Sequence, residues 1–180
     1  FNSPTKTEDG IHILTDEMTT NGQSHFYLET TSIYVVPSDD DNLTVYAATQ
    51  HPSLMHGDLC RVNNIQSHKI NVIVQRVGGA FGGKETRTSV LSNAASVAAL
   101  KLGVPIKLTL DRKTDMTMQG QRHPLYSKYK IAFDDEGIIH AMQVDFFFDC
   151  GWSLDFSGSV CDKAILHSNS AYSIPNFSAI

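Results

Sequence analysis

The sequence predicts an α+β fold in which β-hairpins and a mixed sheet are packed by helices. Two pairs of segments rich in aromatic and β-branched residues are each joined by a short acidic turn, which is typical of hairpins: residues 25–36 with 43–49, and residues 126–133 with 138–148. Small, helix-compatible residues over 86–102 predict a helix, because Gly103 and a nearby proline follow as they do at helix ends.

The first part of the chain, residues 1–21, is polar with little periodicity, and Asn21-Gly22 favours a turn. We interpret this part as a linker or the end of a preceding segment, with order beginning near His25 and a partial domain over residues 22–180. The chain begins without Met and stops in a segment that starts to resemble a strand. We therefore expect it to be cut at both ends and truncated at the C-terminal side of the domain.

The segment between the first hairpin and the helix has its own signals. The acidic run 39–41 lacks the later Gly and Glu of a calcium loop, so a solvated turn is the preferred interpretation. Pro52 favours the first turn of a helix that reaches about Val62. Residues 70–74 then predict a strand that leads into a glycine-rich loop.

The helix over 86–102 is expected to bury one stripe of its surface. The predicted stripe consists of Val90, Ala94, Val97 and Ala98. Residues 106–110 predict a buried strand, and residues 159–167 predict a last helix.

Composition excludes several classes of function. With 41% hydrophobic and 18% charged residues the chain is an ordinary globular protein, and its net charge of −5 with no basic run excludes nucleic acid as a partner. Three separated cysteines form neither a disulfide framework nor a Cys-x-x-Cys motif, which favours a reducing compartment such as the cytoplasm or a peroxisome. No stretch approaches the roughly 18 apolar residues that cross a bilayer, so no membrane association is expected.

The sharpest feature is the loop at residues 76–87, which carries four glycines between a strand and a helix. Such a loop suits an anion or an electronegative oxygen, because glycines let a ligand approach the backbone N–H groups and the helix start adds a positive field. A tight strand-to-helix connection is the simplest alternative. A nucleotide-binding P-loop is another, since residues 78–84 fit G-x-x-x-x-G-K, but Glu85 stands where that motif needs a hydroxyl for magnesium.

A set of motifs in a fixed order resembles the xanthine dehydrogenase and aldehyde oxidase family of molybdenum hydroxylases and covers nearly everything from Gly22 onward. The motifs are Gly22-Gln23-Ser24-His25-Phe26-Tyr27-Leu28-Glu29-Thr30, Ala48-Thr49-Gln50, the glycine loop, Leu110-Asp111-Arg112, Gly120-Gln121-Arg122-His123-Pro124 and Tyr172-Ser173-Ile174-Pro175-Asn176. The resemblance implies a part of the domain that binds the molybdenum cofactor.

The resemblance also implies roles for four residues at that cofactor. Gln50 would hydrogen-bond an oxygen ligand of molybdenum, for which a neutral amide donor is suited, although a strand-end glutamine in solvent is the alternative. Gly79, Phe81 and Gly82 would bring the loop backbone to the cofactor. Gln50 and Phe81 would thus meet the metal only through its oxygen ligands, while the Phe81 ring packs a pocket wall.

Two further residues are implied to contact substrate. Glu85 matches an acid that hydrogen-bonds purines in xanthine-oxidising members, with favourable helix-start electrostatics as the alternative. Lys163 stands where those members carry a substrate-binding arginine; it keeps the charge but loses the two-pronged contact, and a solvated helix lysine is the alternative.

The resemblance implies a segment of a molybdenum-dependent hydroxylase that oxidises purines or related N-heterocycles with oxygen from water. Oxidation of aldehydes is the alternative within the class; a nucleotide-binding module and a non-catalytic interaction protein are the alternatives outside it. The complete protein would be a homodimer that binds molybdenum-molybdopterin, 2Fe-2S clusters, FAD and a small-molecule substrate. Its catalytic base is expected downstream, so we expect these 180 residues alone to be inactive.

Overall fold

A computed structural model describes residues 3–180, which form two compact units. One unit is Ser24–Arg122, and the other combines residues 3–23 with His123–Ile180. The elements, in chain order, are strands β1 (Thr5–Lys6), β2 (His12–Thr20), β3 (Ser32–Ser38) and β4 (Asn42–Ala47), helix α1 (Pro52–Asn63), strand β5 (Ile70–Ile73), helix α2 (Arg87–Leu102), strand β6 (Ile106–Thr109), helix α3 (Arg112–Met118), strands β7 (Leu125–Phe133) and β8 (Ile139–Phe148), helix α4 (Ser157–His167) and strand β9 (Asn176–Ala179). A short 3-10 turn, Ser67–Lys69, precedes β5. Strands and helices both contribute, as the predicted α+β class requires.

The unit Ser24–Arg122 is built on a four-stranded sheet with strand order β5-β4-β3-β6. Its strands pair antiparallel except for β4 and β5, which are parallel. Alternate residues of β3 and β4 are buried, and they pack with one face of α1 and of α2 into a single core. This period of two is the pattern of a sheet with one covered face, and each fully buried side chain of this size contributes roughly 1.5–3 kcal/mol.

Helix α2 forms at the predicted place but buries a different face. Val90 and Val97 of the predicted stripe are 58% and 46% exposed, and that part of the prediction is wrong. The buried face combines small apolar and hydroxyl residues, namely Thr88, Ser89, Leu91, Ser92, Ala95, Ser96 and Ala99. Some of these hydroxyls are satisfied locally: the Ser96 hydroxyl donates to the Asn93 carbonyl at 2.8 Å and accepts from the Asn63 side chain of α1 at 2.8 Å.

The second unit is a five-stranded sheet with strand order β1-β2-β7-β8-β9. The expectation that residues 1–21 form a linker and that order begins near His25 is wrong for the described part, since β2 pairs with β7 over nine residues, from His12 opposite Phe133 to Thr20 opposite Leu125. Most side chains of β2 are half-buried or exposed, so its sequence carries no apolar period. Residues 1 and 2 lie outside the described residues.

Both predicted hairpins are confirmed, as β3 with β4 and β7 with β8. The final segment does become a strand, β9, which pairs parallel with β8. Strand β3 begins at Ser32 rather than at residue 25, because residues 25–29 run against the glycine loop, where the Leu28 N–H donates to the Gly78 carbonyl at 3.2 Å. Helix α3 was not predicted, although Asp111 caps it by accepting the Thr114 N–H.

Among residues 3–180, no helix combines the length and apolarity that membrane crossing needs.

Candidate functional site

The glycine loop connects β5 to α2 as a folded turn. Its backbone takes positive φ at Gly79 (+93°), Phe81 (+54°) and Gly82 (+87°), and the Gly83 N–H donates to the Ala80 carbonyl at 2.8 Å. Gly79 and Gly82 suit these positions because glycine has no Cβ penalty in this region. Phe81 has a Cβ, which makes positive φ unfavourable for it. Its side chain is 75% exposed, so the turn holds an aromatic residue in an uncommon conformation at its open edge.

The inner side of the loop lies against residues 25–29. A Cβ added to Gly83 would meet ring atoms of His25 and Tyr27 at 2.8 Å, so only glycine lets the chain pass at this distance. Burial lowers the pKa of His25, a shift that the Gly120 backbone partly opposes, so the ring favours its neutral form in this packing. The glycines therefore serve the chain's own packing on the inner side and leave the outer edge open.

Gln50 joins the loop directly. Its side-chain oxygen Oε1 accepts the N–H groups of Gly82 at 3.0 Å and Lys84 at 3.2 Å. The backbone N–H of Gln50 donates to the Lys84 carbonyl at 2.8 Å. Backbone N–H groups only donate, so the atom facing the loop is the amide oxygen and not the nitrogen. The structure thus brings Gln50 and the loop together. Gln50 is exposed, and the two N–H groups of its Nε2 take no part in these bonds.

The structure adds one detail that the family resemblance does not give. The Gly82 N–H, expected to approach the cofactor, is used by Gln50 Oε1. Within residues 3–180, the Phe81 N–H and Gln50 Nε2 make no hydrogen bonds. Both groups are donors that remain for a ligand at the loop edge, whereas the Gly82 N–H is bonded to Gln50.

Sequence reasoning missed an ion pair behind the loop. The side chain of Lys84 is 0% exposed, its Nζ lies 3.0 Å from Glu29 Oε1, and it stands 4.4 Å from the centre of the Tyr27 ring. Burial works to raise the pKa of Glu29, but the Gly78 N–H, at 2.8 Å, and the Lys84 ammonium outweigh burial and lower it. Both residues stood in recognisable motifs, yet nothing local could show that they pair across 55 positions.

The hydroxyl of Tyr27, beneath this pair, is buried near a polar cluster that includes Thr31 and Asp115. Burial, with the Asp115 carboxylate adding to it, raises the pKa of Tyr27 to about 12, so the hydroxyl stays protonated. The cluster is fixed to the backbone, because Asp115 Oδ1 accepts the Thr31 N–H at 3.1 Å and Gln119 Nε2 donates to the Thr31 hydroxyl at 3.1 Å.

The two substrate candidates lie in different units. Glu85 is half-buried and precedes Thr86, the N-cap of α2, so it stands outside the first helical turn and the helix-start explanation loses support. Lys163 lies on α4 and is exposed. Their action on one substrate stays a prediction.

Among residues 3–180, no group of three His, Cys, Asp or Glu side chains could hold a metal ion.

Comparisons with known proteins place the chain in one family. The family model of the molybdopterin cofactor-binding domain matches residues 5–180. Aldehyde oxidase 2 of Cavia porcellus is 42% identical over 94% of the chain, and the xanthine dehydrogenase of Drosophila subobscura is 41% identical over 86%. The chain spans only 13% and 12% of those two proteins.

A solved structure has the same fold. The aldehyde oxidoreductase from Desulfovibrio desulfuricans superimposes with a TM-score of 0.84 at 18% identity, over 98% of this chain and 20% of that one. Because the family model matches residues 5–180, the chain belongs to the molybdopterin cofactor-binding domain family, as its resemblance to xanthine dehydrogenases and aldehyde oxidases predicts.

Proposed function

We propose that this chain supplies one wall of the active site of a molybdenum-dependent hydroxylase, in which Gln50 and the loop edge face an electronegative ligand of the cofactor. One observation carries the proposal: both acceptor bonds of the Gln50 oxygen are made to the loop, at 3.0 and 3.2 Å, which leaves its nitrogen to donate elsewhere. The Gln50 amide would be pre-oriented, and pre-oriented donors lose little entropy when a ligand arrives.

The residues present fit such a group. Gln50 Nε2 and the Phe81 N–H are neutral donors at an exposed edge, and neutral donors stabilise an oxygen ligand without altering the charge at the metal. When bound, the molybdenum-molybdopterin cofactor would supply oxidative hydroxylation of an electron-poor carbon with oxygen from water. The chain itself would bind and orient the cofactor, while a base would come from elsewhere in the complete protein.

For the complete protein we propose purines or related N-heterocycles as substrates. Glu85 supports this choice, since a half-buried carboxyl next to the loop can hydrogen-bond a ring nitrogen or its N–H. Lys163 supports aldehydes as the second candidate, because one ammonium replaces the two-pronged contact of an arginine. The relatives named above include both a xanthine dehydrogenase and an aldehyde oxidase, at nearly equal identity. We further propose 2Fe-2S clusters, FAD, a homodimer and a cytoplasmic location.

The nucleotide-binding alternative is not favoured. A P-loop lysine must reach the phosphates of its nucleotide. Lys84 instead points inward, is 0% exposed and pairs with Glu29. The match of residues 78–84 to the P-loop pattern therefore does not extend to its chemistry.

The full-length protein that contains this chain tests the proposal. Its molybdenum content and its turnover of hypoxanthine and of an aromatic aldehyde are measured for the native protein, for Gln50→Leu, and for Gln66→Leu at an exposed control position. We expect turnover to fall about 100-fold in Gln50→Leu, as for loss of one pre-oriented donor, and to stay native in Gln66→Leu. Full activity of Gln50→Leu, or a native protein without molybdenum, contradicts the proposal.

A further inference from the structure

A single carboxylate oxygen ties the two ends of the glycine loop together. Glu29 Oε1 accepts the Gly78 N–H at 2.8 Å, at the start of the loop, and the Lys84 ammonium at 3.0 Å, at its end. We name these three groups the Glu29 clasp. Residues between Gly78 and Lys84, which include the open edge at Phe81, thus span a loop whose ends are fixed to one atom.

The clasp is connected to Gln50 through the main chain of Lys84. The Lys84 N–H donates to Gln50 Oε1 at 3.2 Å, and the Lys84 carbonyl accepts the Gln50 N–H at 2.8 Å and the Thr49 hydroxyl at 2.9 Å. Gln50 is therefore hydrogen-bonded to both the backbone N–H and the backbone carbonyl of Lys84, whose side chain is part of the clasp. A shift of Lys84 must shift the Gln50 amide with it.

The surroundings of the Lys84 ammonium leave it no other anionic partner within the part of the chain that the structure describes. The Lys84 side chain is 0% exposed and that of Glu29 is 39% exposed, so the buried ammonium meets solvent only past its partner, and leaving that buried charge unpaired is strongly unfavourable. Beneath it the Tyr27 ring lies at 4.4 Å, and that ring also limits Gly83 to a residue without Cβ. Lys84 can therefore keep its position only while Glu29 stays charged and in place.

We propose that Glu29 and Lys84 are positioning residues for the reaction: they act through Gln50 by fixing the loop that holds its amide oxygen. The inference rests on the proposed function of Gln50 and adds to it the device that orients that residue. Neither side chain is assigned a contact with substrate or cofactor.

A double-mutant cycle in the full-length protein tests the coupling. The variants are Glu29→Gln, Gln50→Leu and both together; Gln at position 29 can still accept the Gly78 N–H but removes the charge that Lys84 needs. We expect Glu29→Gln to lower kcat about tenfold with KM and molybdenum content near native, because the charged, part-buried hydrogen bond that fixes Lys84 is lost. In the Gln50→Leu background the same change should cost less than about twofold. Equal effects in both backgrounds overturn the proposal.

A second readout does not depend on activity. Hydrogen exchange of the peptide that covers residues 78–84 should accelerate about tenfold in Glu29→Gln, since the clasp limits local opening. The matched control is Asp40→Asn, because Asp40 pairs with Lys69 at the same N–O distance of 3.0 Å at the surface, and it should leave that peptide unchanged. If exchange changes as expected but Gln50→Leu is fully active, the proposed function fails and the clasp stands; unchanged exchange overturns the clasp itself.

The charge-free pair Glu29→Gln with Lys84→Met covers the case in which Glu29→Gln does not fold. Removing both charges leaves no buried ion, so this variant is expected to fold. It lacks the bond from Lys84 Nζ, so residues 78–84 should still exchange faster than in the native protein. Native exchange in this folded variant overturns the proposal.

Discussion

Gln50 Oε1 and the Gly82 nitrogen lie 3.0 Å apart, and this hydrogen bond sets which end of the Gln50 amide faces the loop. A glutamate at this position keeps an oxygen for the Gly82 and Lys84 N–H groups but replaces the donor Nε2 by an acceptor. We expect Gln50→Glu to preserve the loop and to lower turnover about 100-fold. Steady-state kinetics measure the loss, and native hydrogen exchange over residues 78–84 shows that the loop is kept. Retained turnover would show that no donor is needed from Gln50.

The close approach at Gly83 predicts a specific sensitivity. In Gly83→Ala the new Cβ would lie 2.8 Å from ring atoms of His25 and Tyr27, which cannot bend away as a flexible chain end could. We expect the local free energy of opening, measured by hydrogen exchange over residues 78–88, to fall by about 1–3 kcal/mol.

A matched glycine provides the control for Gly83. Gly57 lies inside α1, and a Cβ added there would have no neighbouring atom within 4 Å, so Gly57→Ala should stabilise that helix by about 0.5–1 kcal/mol. If both substitutions have the same sign, the packing of residues 25–29 against the loop is not what selects glycine at position 83.

The buried face of α2 can be tested by enlarging one residue on each side of the helix. Ala99 is 0% exposed and Val97 is 46% exposed. Ala99→Leu should destabilise the unit by about 1–3 kcal/mol through overpacking, whereas Val97→Leu should change stability by less than about 0.5 kcal/mol. Hydrogen exchange of α2 amides measures both. A larger loss of stability in Val97→Leu than in Ala99→Leu would show that the stripe predicted from the sequence is the buried one.

The turn between β7 and β8 predicts a dependence on pH. The Ile138 N–H, and after it the His140 side chain, hold the pKa of Asp134 below its ordinary value of 3.8. Because the folded pKa is the lower one, the carboxylate stabilises the turn above its unfolded pKa, and this contribution is lost as the pH falls through the folded pKa. Exchange of the peptide over residues 134–140, corrected for intrinsic rates, should be faster in Asp134→Ala than in the native protein near neutral pH. The two should converge on acidification; a gap that widens toward acid would contradict the assignment.

Local patterns were sufficient for much of the fold. The hairpins, α1, and the bounds of α2 follow from residue types and turn signals that lie within one segment, and the structure confirms them. Strand β2 could not be found in this way, since its side chains are mostly half-buried or exposed and its partner β7 begins at Leu125, more than 100 residues later. The face of α2 was mistaken because buried hydroxyls satisfied within the helix look polar in the sequence.

The candidate site was predictable to a similar depth. The resemblance brought Gln50 and the glycine loop into one hypothesis, and the structure places them in contact. It did not reveal that the Gly82 N–H serves Gln50, or that Glu29 and Lys84 pair behind the loop, because such contacts depend on distances that only the folded chain defines. The roles of Glu85 and Lys163 remain predictions.

In the proposed function, Gln50 Nε2 donates to a ligand of the molybdenum cofactor. An experimental structure of the full-length, cofactor-loaded protein measures this directly. We expect Nε2 to lie within hydrogen-bond distance of an oxygen ligand of molybdenum while Oε1 keeps its bonds to Gly82 and Lys84. An Nε2 that points into solvent, with the cofactor bound away from residues 78–84, would contradict it.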